Sequence, residues 1–382
     1  MRALVLSTNN YRSFPSRKQR FARHLAGCGY EVLYVEAPVT LLAAARPKMW
    51  PKLNAWRSGL HRQDNGLYTA SPRPWLPFFK KSEAVADRDA LIYYRWLQHL
   101  PGDWTRDLGL VLTYLPFVPR ALELLKVPVV YDCVDDHGAY PGLIDRNVVD
   151  RLENRSARAA SAIVVTNETI AAKFGGFASK VSLIQNGVDH ELFAGPASAW
   201  LGTLGDVLPR QHRFLYVGAM REWFDTSLLL SVARAFPEDQ IDCFGEAVPS
   251  VRGELSTQHN ITLKGVWPQS EVAKEAARYD VALIPFRESP LTFGVDPLKF
   301  YEYASAGLPV VSSRINALGA YDEEMVRIAS SQQDFVTAIQ QAVATDSINL
   351  RRHRIQVSQR FDWAFRLNEF DRVLDALVGV HT

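Results

Sequence analysis

Asp296-Pro-Leu-Lys-Phe-Tyr-Glu-Tyr-Ala-Ser-Ala-Gly-Leu-Pro-Val-Val-Ser-Ser313 predicts a loop, a helix and a buried strand in immediate succession. Asp296 suits the N-cap, because its carboxylate can accept hydrogen bonds from the free N–H groups of the first turn. Pro297 suits the first helical position, where no N–H is needed. Gly307 can end the helix in a left-handed conformation. The apolar residues 308–311 then predict a short strand.

The predicted helix carries a cation and a carboxylate on one face, since Lys299 and Glu302 are three residues apart. Next to the end of a strand, this pair would suit a nucleotide, with the lysine on phosphate and the glutamate on ribose hydroxyls. The competing interpretation is an ordinary amphipathic helix, with both charged groups in solvent and Tyr301 and Tyr303 in the core. The spacing alone leaves both interpretations open.

Composition indicates a globular protein of two domains. The chain has 382 residues, of which 47% are hydrophobic and 22% are charged, and these fractions argue against disorder. The net charge of +2 gives no indication of a nucleic-acid partner. The amino-terminal apolar run is too short for a signal peptide, and no run of about 18 apolar residues predicts a membrane span.

The three cysteines, Cys28, Cys133 and Cys243, are scattered along the chain. Neither a CxxC pair nor a Cys/His cluster occurs in the sequence, so neither a disulfide framework nor a zinc site is predicted. Unpaired cysteines favour a reducing compartment and hence a cytoplasmic location.

Short apolar runs alternate with longer amphipathic ones, which predicts parallel α/β sheets. Strands are predicted at 2–8, 31–36, 109–114, 128–133, 161–166, 180–185, 213–218, 239–244, 261–265, 280–285 and 308–313. Helices are predicted at 16–28, 82–98, 117–126, 145–159, 225–236, 269–278, 297–306, 331–345 and 363–378. The predicted strands are rich in Val, Ile and Leu, which suits sheets that are covered on both faces.

A domain boundary is predicted near the Asn186-Gly187 turn, which a Gly/Ala/Pro-rich stretch follows to about residue 210. The predicted domains are 1–190 and 191–362, both doubly wound. Two such domains leave a cleft between them, and ligand sites of open α/β sheets lie at the carboxyl ends of the strands.

Residues 46–81 break the pattern, because eight Lys and Arg side chains face a single acid, Asp64. Tryptophan and phenylalanine are interleaved with these cations, including Trp75 beside Lys80 and Lys81. Basic and aromatic residues together are typical of an interfacial membrane patch. The alternative is a solvated insertion with partly buried aromatic side chains, which the composition supports equally.

Five motifs in order resemble those of GT-B glycosyltransferases, nearest to the family 4-like (group 1) bacterial enzymes of cell-surface polysaccharides, including teichuronic-acid-type transferases. They are Val129-Val-Tyr-Asp-Cys-Val-Asp-Asp-His137, Gln185-Asn-Gly-Val-Asp-His-Glu-Leu-Phe193, Tyr216-Val-Gly-Ala-Met-Arg221, the strand regions 261–267 and 280–285, and the 296–313 stretch. The resemblance covers most of the chain except roughly residues 40–105, the segment that contains the basic and aromatic residues.

The resemblance implies a fold of two Rossmann-like domains facing a cleft, an acceptor-binding domain at 1–190 and a nucleotide-sugar-binding domain at 191–362. A last helix in 363–382 would return to the first domain. The implied activity moves a sugar from a nucleotide-diphosphate sugar to a glycan or a polyprenyl-linked acceptor. Such enzymes need no cofactor and generally no metal, and the expected location is the cytoplasmic face of the cell membrane.

The family also implies roles on the donor side. Glu302 resembles the glutamate that binds ribose, while Lys299 and Arg221 would neutralise the diphosphate leaving group. Gly218 lies in the first strand-loop of the donor domain. The first glutamate of the family's E-x7-E pattern would fall at Gly294, so the usual contact to the transferred sugar is missing. Backbone N–H groups of residues 293–294 are expected to bind phosphate.

The acidic loop after the strand at 128–133 is the candidate catalytic centre of the first domain. An inverting transferase needs a base for the acceptor hydroxyl, and Asp135 is the first candidate and His137 the second. Asp132 is a candidate structural hydrogen-bond partner for loop amides. In the alternative, all the acids of the loop cap loop and helix N–H groups. A metal site in this loop is not favoured, because the sequence shows no further cluster of ligands at a definite spacing.

Two arginines near the amino terminus, Arg17 and Arg20, are candidates for contacting a lipid-linked diphosphate. Alternatively, they form the solvated first turn of a helix.

Two other functions of the protein remain open at this point. One is a sugar-nucleotide epimerase of the same fold. The other is a non-catalytic glycan-binding or lipid-binding protein, which the glycine at position 294 keeps under consideration.

Overall fold

Two compact units make up the protein. The computed structural model describes residues 1–63, 66–205, 207–208 and 213–378. The first unit comprises Met1–Ile184 together with the chain from Leu367 onward, and the second comprises Gln185–Arg366. Each has its own buried apolar core, as expected for separate α/β domains.

The first unit is built on an eight-stranded sheet with the strand order β3-β4-β2-β1-β5-β6-β7-β8. Its strands are β1 (Arg2–Leu6), β2 (Glu31–Val35), β3 (His61–Arg62), β4 (Leu67–Ala70), β5 (Leu108–Thr113), β6 (Val129–Cys133), β7 (Ala162–Val165) and β8 (Val181–Leu183). All neighbours pair in parallel except β3, which runs antiparallel to β4 at the edge.

Helices cover this sheet because the chain must cross over between parallel strands. They are α1 (Arg17–Gly27), α2 (Trp50–Asn54), α3 (Glu83–His99), α4 (Pro119–Leu125), α5 (Arg146–Ala159) and α6 (Glu168–Ala171). Short 3₁₀ helices at 41–45, 47–49, 55–58 and 172–180 complete the unit.

The second unit has a six-stranded, all-parallel sheet with the order β11-β10-β9-β12-β13-β14. Its strands are β9 (Arg213–Val217), β10 (Gln240–Phe244), β11 (Ile261–Gly265), β12 (Val281–Ile284), β13 (Val310–Ser313) and β14 (Val326–Ala329). Its helices are α7 (His190–Gly202), α8 (Thr226–Ala235), α9 (Pro249–Leu255), α10 (Gln269–Ala276), α11 (Pro290–Phe293), α12 (Leu298–Ser305), α13 (Gln332–Thr345) and α14 (Ile348–Ser358). The last helix, α15 (Trp363–Val378), contributes residues to both units.

Strand order fixes where each unit can bind a ligand. In the second unit the order reverses between β9 and β12, and in the first unit it reverses between β1 and β5. At such a switch point the loops leave the sheet on opposite faces, which opens a crevice at the carboxyl ends of the strands. Each unit therefore has one topologically determined site.

The predicted fold class is confirmed, and every predicted strand and helix is found within a few residues of its predicted bounds. The prediction missed the short strands β3, β4 and β14, which are two to four residues long. It also missed the helices α2, α6, α7, α9, α11 and α14. No helix was predicted in the Gly/Ala/Pro-rich stretch that runs to about residue 210. Helix α7 occupies residues 190–202 with Pro196 inside it, because five of its side chains, from His190 to Leu201, are buried.

The start of helix α12 also differs from its prediction. The helix begins at Leu298, and Pro297 is the N-cap residue without a side-chain cap. Asp296 does not cap, because its carboxylate instead accepts from the Tyr301 hydroxyl at 2.5 Å and from the Asn186 N–H at 2.6 Å. The end is as predicted, since Gly307 has a φ of +76°.

The units divide after Ile184, whereas the predicted boundary was 190. Hydrogen bonds explain the difference. Asn186 binds Asp296 through its backbone N–H and its side chain, and the N–H of Val188 donates to the carbonyl of Phe361. Both partners lie in the second unit, so the Asn-Gly turn belongs to that unit.

Candidate functional site

Two glycines shape the crevice of the second unit. Gly218 follows β9 with a φ of +142°, and a Cβ there would lie 2.7 Å from the Lys299 ammonium. Gly245 follows β10 with a φ of +134°, and a Cβ there would overlap the Gly218 carbonyl. Only glycine tolerates this backbone conformation and this approach together. The loops after β9 and β10 are thereby packed closely, and the lysine lies directly above the first of them.

Lys299 is a cation with aromatic neighbours, and no carboxylate of the described residues lies within hydrogen-bonding distance of it. Its Nζ lies 5.4 Å from the ring centre of Tyr216 and 4.9 Å from that of Phe286. Within the described residues its ammonium makes no hydrogen bond or ion pair. Burial lowers the pKa of Lys299 to about 8, against the opposing effect of the Glu302 charge. An ammonium held in this way favours an anionic ligand.

Glu302 lies one turn further along α12, and its Oε1 accepts from the side-chain amide of Gln269 at 2.6 Å. Gln269 begins α10, immediately after a loop with exposed Val266 and Trp267. The predicted phosphate-binding and ribose-binding side chains thus lie beside the carboxyl ends of β9 and β11. This arrangement is what a nucleotide in the crevice would require.

The two other donor-side candidates are placed differently. Arg221 lies in the Gly218 loop, but it is exposed and its guanidinium pairs with Glu246 at 3.0 Å. Gly294 is the C-cap residue of α11, where its N–H donates to the Leu291 carbonyl at 3.3 Å. The N–H of Phe293 likewise donates to Ser289. The prediction that these two N–H groups bind phosphate is wrong, because the helix turn already uses them.

In the first unit, the acids at the end of β6 and in the loop after it are neutralised unequally. Asp132 is fully buried and forms an ion pair with Arg17 at 2.7 Å, and Arg17 also donates to the carbonyl of Ile184 at 2.8 Å. The predicted contact of Arg17 with a lipid-linked diphosphate is therefore wrong. Its side chain lies on the buried face of α1 and pairs with a carboxylate inside the unit. The structural role of Asp132 fits this pair.

Asp136 is also paired. Its carboxylate accepts from Arg146 at 3.0 Å and from Lys173 at 2.8 Å, and Lys173 continues to Glu153 at 2.7 Å. These cations keep the pKa of Asp136 below its usual value despite burial. The network fixes the loop after β6 against α5 and the 172–180 helix.

Asp135 is the carboxylate of this loop that can act as a base, because the described cations pair with Asp132 and Asp136 instead. It is half-buried, and its Oδ2 accepts from the Tyr140 hydroxyl at 3.0 Å without forming an ion pair within the described chain. His137 is buried, and burial together with the charges of Lys173, Lys18 and Lys80 lowers its pKa to about 3. A histidine held neutral in this way is a weak base, so the geometry favours Asp135 over His137.

Cys133, His137 and Glu153 have potential ligand atoms within 4.8 Å of one another, a grouping that the sequence did not indicate. The Lys173 ammonium, at 2.7 Å from the Glu153 carboxylate, already supplies a cation there. Burial also raises the pKa of the Cys133 thiol, which opposes the thiolate that a metal needs. The group therefore packs as a structural network.

The basic and aromatic segment lies partly inside the first unit. Trp75 is only 3% exposed and packs edge-on against Phe79 and Tyr93, so its predicted role at a membrane is wrong. Lys80 is half-buried with its Nζ 4.9 Å from the Phe117 ring centre, and it therefore faces the first unit's crevice, unlike the exposed Lys81.

A different part of this insertion is exposed. Leu41, Leu42 and Trp50 present apolar side chains to solvent, and Trp50 is 56% exposed. Exposed Lys48 and Lys52 lie on the same run of short helices, and exposed Arg46 lies between two of them. We name these six residues the basic apolar surface. Among the described helices, none combines the length and the apolar character that crossing a membrane would require.

Lys18 was not predicted as a site residue, although the spacing of the apolar residues after it indicates that it lies on the buried face of α1. Phe21, Ala22 and Leu25 follow it at the spacing of one helix face, and all three are buried. A lysine on that apolar stripe points inward.

Arg20 lies between the buried and the exposed face of α1 and is half-buried. Its contact with a lipid-linked diphosphate stays a prediction.

No protein-family profile matches the chain. It is similar to the putative teichuronic acid biosynthesis glycosyltransferase TuaH of Bacillus subtilis, with 27% identity over 208 residues. The match covers 49% of this chain and 50% of the relative, so it spans about half the length of each protein.

Solved structures share the fold over nearly the full chain. Sucrose-phosphate synthase from Thermosynechococcus elongatus matches with a TM-score of 0.73 and 15% identity, covering 99% of both chains. HepE of Anabaena, solved in complex with UDP, matches with a TM-score of 0.67 and 13% identity, covering 98% of this chain and all of that one. A trehalose-phosphate synthase from Burkholderia vietnamiensis matches at 0.69 with 12% identity, covering 100% and 98%. The protein therefore has the fold of GT-B glycosyltransferases.

Proposed function

We propose that this protein is a glycosyltransferase that moves a sugar from a nucleoside-diphosphate donor to a glycan or lipid-linked acceptor in surface polysaccharide synthesis. The observation that carries the proposal is Lys299, an ammonium without an ion-pair partner among the described residues, held over Gly218 at the second unit's switch point. The similarity to TuaH and to the UDP-bound HepE supports it.

On the donor side, Lys299 neutralises the negative charge that grows on the departing diphosphate. A fixed charge in a partly dry crevice stabilises that developing charge at no reorganisation cost. Glu302, held by Gln269, accepts hydrogen bonds from the ribose hydroxyls. Arg221 adds a second cation when it exchanges its exposed partner Glu246 for phosphate. UDP is our first choice of leaving group, because HepE was solved with it.

On the acceptor side, Asp135 takes the proton from the attacking hydroxyl in an inverting reaction. Its carboxylate is oriented by the Tyr140 hydroxyl at 3.0 Å and stays free of ion pairs within the described chain. The neighbouring acids are tied to Arg17, Arg146 and Lys173, so they keep the loop in place without competing for the proton.

The basic apolar surface is our proposed contact with an anionic membrane, at the cytoplasmic face. Apolar side chains such as Trp50 enter the interface, while Lys48 and Lys52 meet the lipid headgroups. The three cysteines are all free, which suits a reducing compartment. A lipid-linked acceptor would be presented at this same surface.

Ligand-induced stabilisation tests the donor site first. UDP should raise the melting temperature, because a ligand of the native state stabilises by RT ln(1 + [L]/Kd). Glu302→Ala should reduce the shift, whereas Glu271→Ala, an exposed glutamate on α10, should keep it. An unchanged shift in Glu302→Ala would contradict the ribose assignment.

Turnover tests the reaction. Radiolabelled UDP-sugars with a bacterial membrane fraction should give labelled lipid or glycan, and the sugar nucleotide alone should remain unchanged. Conversion of the sugar without an acceptor would instead identify an epimerase. UDP binding without transfer to any fraction would leave a non-catalytic binding protein.

A further inference from the structure

The first unit's switch point contains two lysines whose charges the site does not balance. Lys18 on α1 is 8% exposed, and its Nζ lies 5.6 Å from the Tyr114 ring centre. Lys80 reaches the same segment, with its Nζ 4.9 Å from the Phe117 ring centre. Tyr114 and Phe117 both belong to the connection between β5 and α4. The two ammonium groups thus face the crevice that strand order opens in this unit.

Neither ammonium has a hydrogen-bond or ion-pair partner in the part of the chain that the structure describes. Burial lowers the pKa of Lys18 and the pKa of Lys80, as expected for ammonium groups taken out of water. Such groups are costly to bury alone, so their presence needs a compensating interaction.

The surrounding charges supply that interaction only in part. Arg17 pairs with Asp132, while Arg146 and Lys173 pair with Asp136 and Glu153. Asp135 is the remaining carboxylate of the loop, and its charge opposes the lowering of the Lys18 pKa. One carboxylate against two ammonium groups leaves the crevice with an excess of positive charge.

His137 gives an independent sign of a missing ligand. Its side chain is 7% exposed, and its Nε2 has no hydrogen-bond partner among the described residues. The ring lies 5.9 Å from that of Phe117, and burial, followed by the charges of Lys173, Lys18 and Lys80, lowers the pKa of His137. A buried ring nitrogen without a partner is expected to bind a ligand atom. With its proton on Nε2, the neutral ring can donate to an anion.

We propose that Lys18, Lys80 and His137 bind an anionic group of the acceptor next to Asp135. The group is a phosphate or a carboxylate, as on a phosphorylated sugar or a uronic acid. The assignment to the acceptor rests on the proposed glycosyltransferase function, whereas the anion site itself does not. Binding the anion beside Asp135 brings a hydroxyl of the same molecule to the base.

Thermal shifts measured with small anions test the site. The probes are glucose 1-phosphate for phosphate, glucuronate for carboxylate, and glucose as the uncharged control. Each is added to the full chain with and without saturating UDP. The variants are Lys18→Met and Lys80→Met, which keep the length of the side chain. Lys126→Met, an exposed lysine at the end of α4, is the matched control. Lys299→Met removes the cation of the second unit.

One of the two anions should raise the melting temperature of the parent protein, of Lys126→Met and of Lys299→Met, and glucose should not. The shift should be lost in both Lys18→Met and Lys80→Met. The anion that raises the melting temperature identifies the bound group as a phosphate or a carboxylate. Retention of the shift in Lys80→Met, the less buried of the two lysines, would overturn the proposal, as would its loss only in Lys299→Met. Failure of UDP to bind would instead contradict the donor assignment and leave this result standing.

Discussion

The two switch points share one topology but differ in how their charges are paired. In the second unit, glycine turns and aromatic rings surround a single lysine, Lys299, with no ion-pair partner in the described chain. In the first unit, the end of β6 and the loop after it carry three carboxylates, of which Asp132 and Asp136 are bound by Arg17, Arg146 and Lys173. The second unit therefore presents one lysine without an ion-pair partner in the described chain, whereas the paired charges of the first unit leave Asp135 beside Lys18 and Lys80.

The comparison shows that a parallel sheet decides where a ligand binds, while the side chains at that edge decide which chemistry is available. Charges that are paired stabilise the fold, and charges left unpaired are available to a ligand. Substitutions in the two classes should therefore have different consequences, and the following predictions test that distinction.

Asp135→Asn should have the largest effect on activity. Removing a general base costs about 10²–10⁴-fold in rate, so we expect kcat for transfer from a UDP-sugar to fall on the order of 10³-fold. The thermal shift with UDP should be unchanged, because Asp135 lies in the other unit. Glu123→Gln, an exposed carboxylate of the same unit, serves as the control. Full activity in Asp135→Asn would remove this residue from the mechanism.

Arg17→Met should have the largest effect on stability. It leaves the Asp132 carboxylate buried without its guanidinium, and breaking a buried pair from one side costs about 3–5 kcal/mol. Urea denaturation should show the loss as a lower midpoint. Arg120→Met breaks the exposed pair with Glu123 and should change the unfolding free energy by less than about 1 kcal/mol. Equal effects of the two substitutions would contradict a structural role for Arg17.

Lys299→Met should separate binding from stability in the second unit. The affinity for UDP should fall by roughly 10–150-fold, since an interaction with a charged donor contributes about 1.5–3 kcal/mol. The unfolding free energy should not fall, because methionine packs well against Tyr216 and Phe286. Calorimetry and urea denaturation measure the two quantities. Lys274→Met, an exposed lysine of the same unit, should change neither.

The affinity for UDP should also depend on pH through Lys299, whose pKa of about 8 lies below that of a free lysine. The diphosphate binds the protonated form, so affinity should be constant below about pH 7.5 and fall about tenfold by pH 9. Stability without ligand should change in the opposite sense. The unfolded chain holds the lysine proton up to a higher pH, so the unfolding free energy should rise between about pH 8 and 10.5. Lys299→Met should abolish the trend in affinity and reduce the trend in stability, to which the lowered pKa values of Lys18 and Lys80 also contribute.

Trp50→Ser should have the smallest effect, a decrease of about fivefold in binding to anionic vesicles, as expected for loss of one interfacial aromatic side chain. Trp267→Ser is the matched control, because Trp267 is also exposed but lies in the second unit. Cosedimentation with vesicles measures both. A larger loss for Trp267→Ser would move the membrane contact to the second unit.

Much of the fold could be predicted because Val/Ile/Leu-rich runs and amphipathic segments have distinct periods. The missed elements lacked that signal. Strands β3 and β14 are short edge strands, and α7 contains Pro196 and several glycine and alanine residues that resemble a linker. Its helical conformation depends on burial of Phe193, Ala197 and Leu201, which only tertiary packing supplies.

By itself, the sequence determined the two doubly wound units, the end of α12 at Gly307, and the placement of Lys299, Glu302 and Asp135 at the carboxyl edges of strands. These features follow from local periods and turn residues. Only the tertiary structure decided which charges are paired. Arg17 and Lys18 are neighbours in the sequence, yet one pairs with Asp132 and the other has no ion-pair partner in the described chain. Pairing depends on atoms more than a hundred residues apart, and no local pattern encodes that distance.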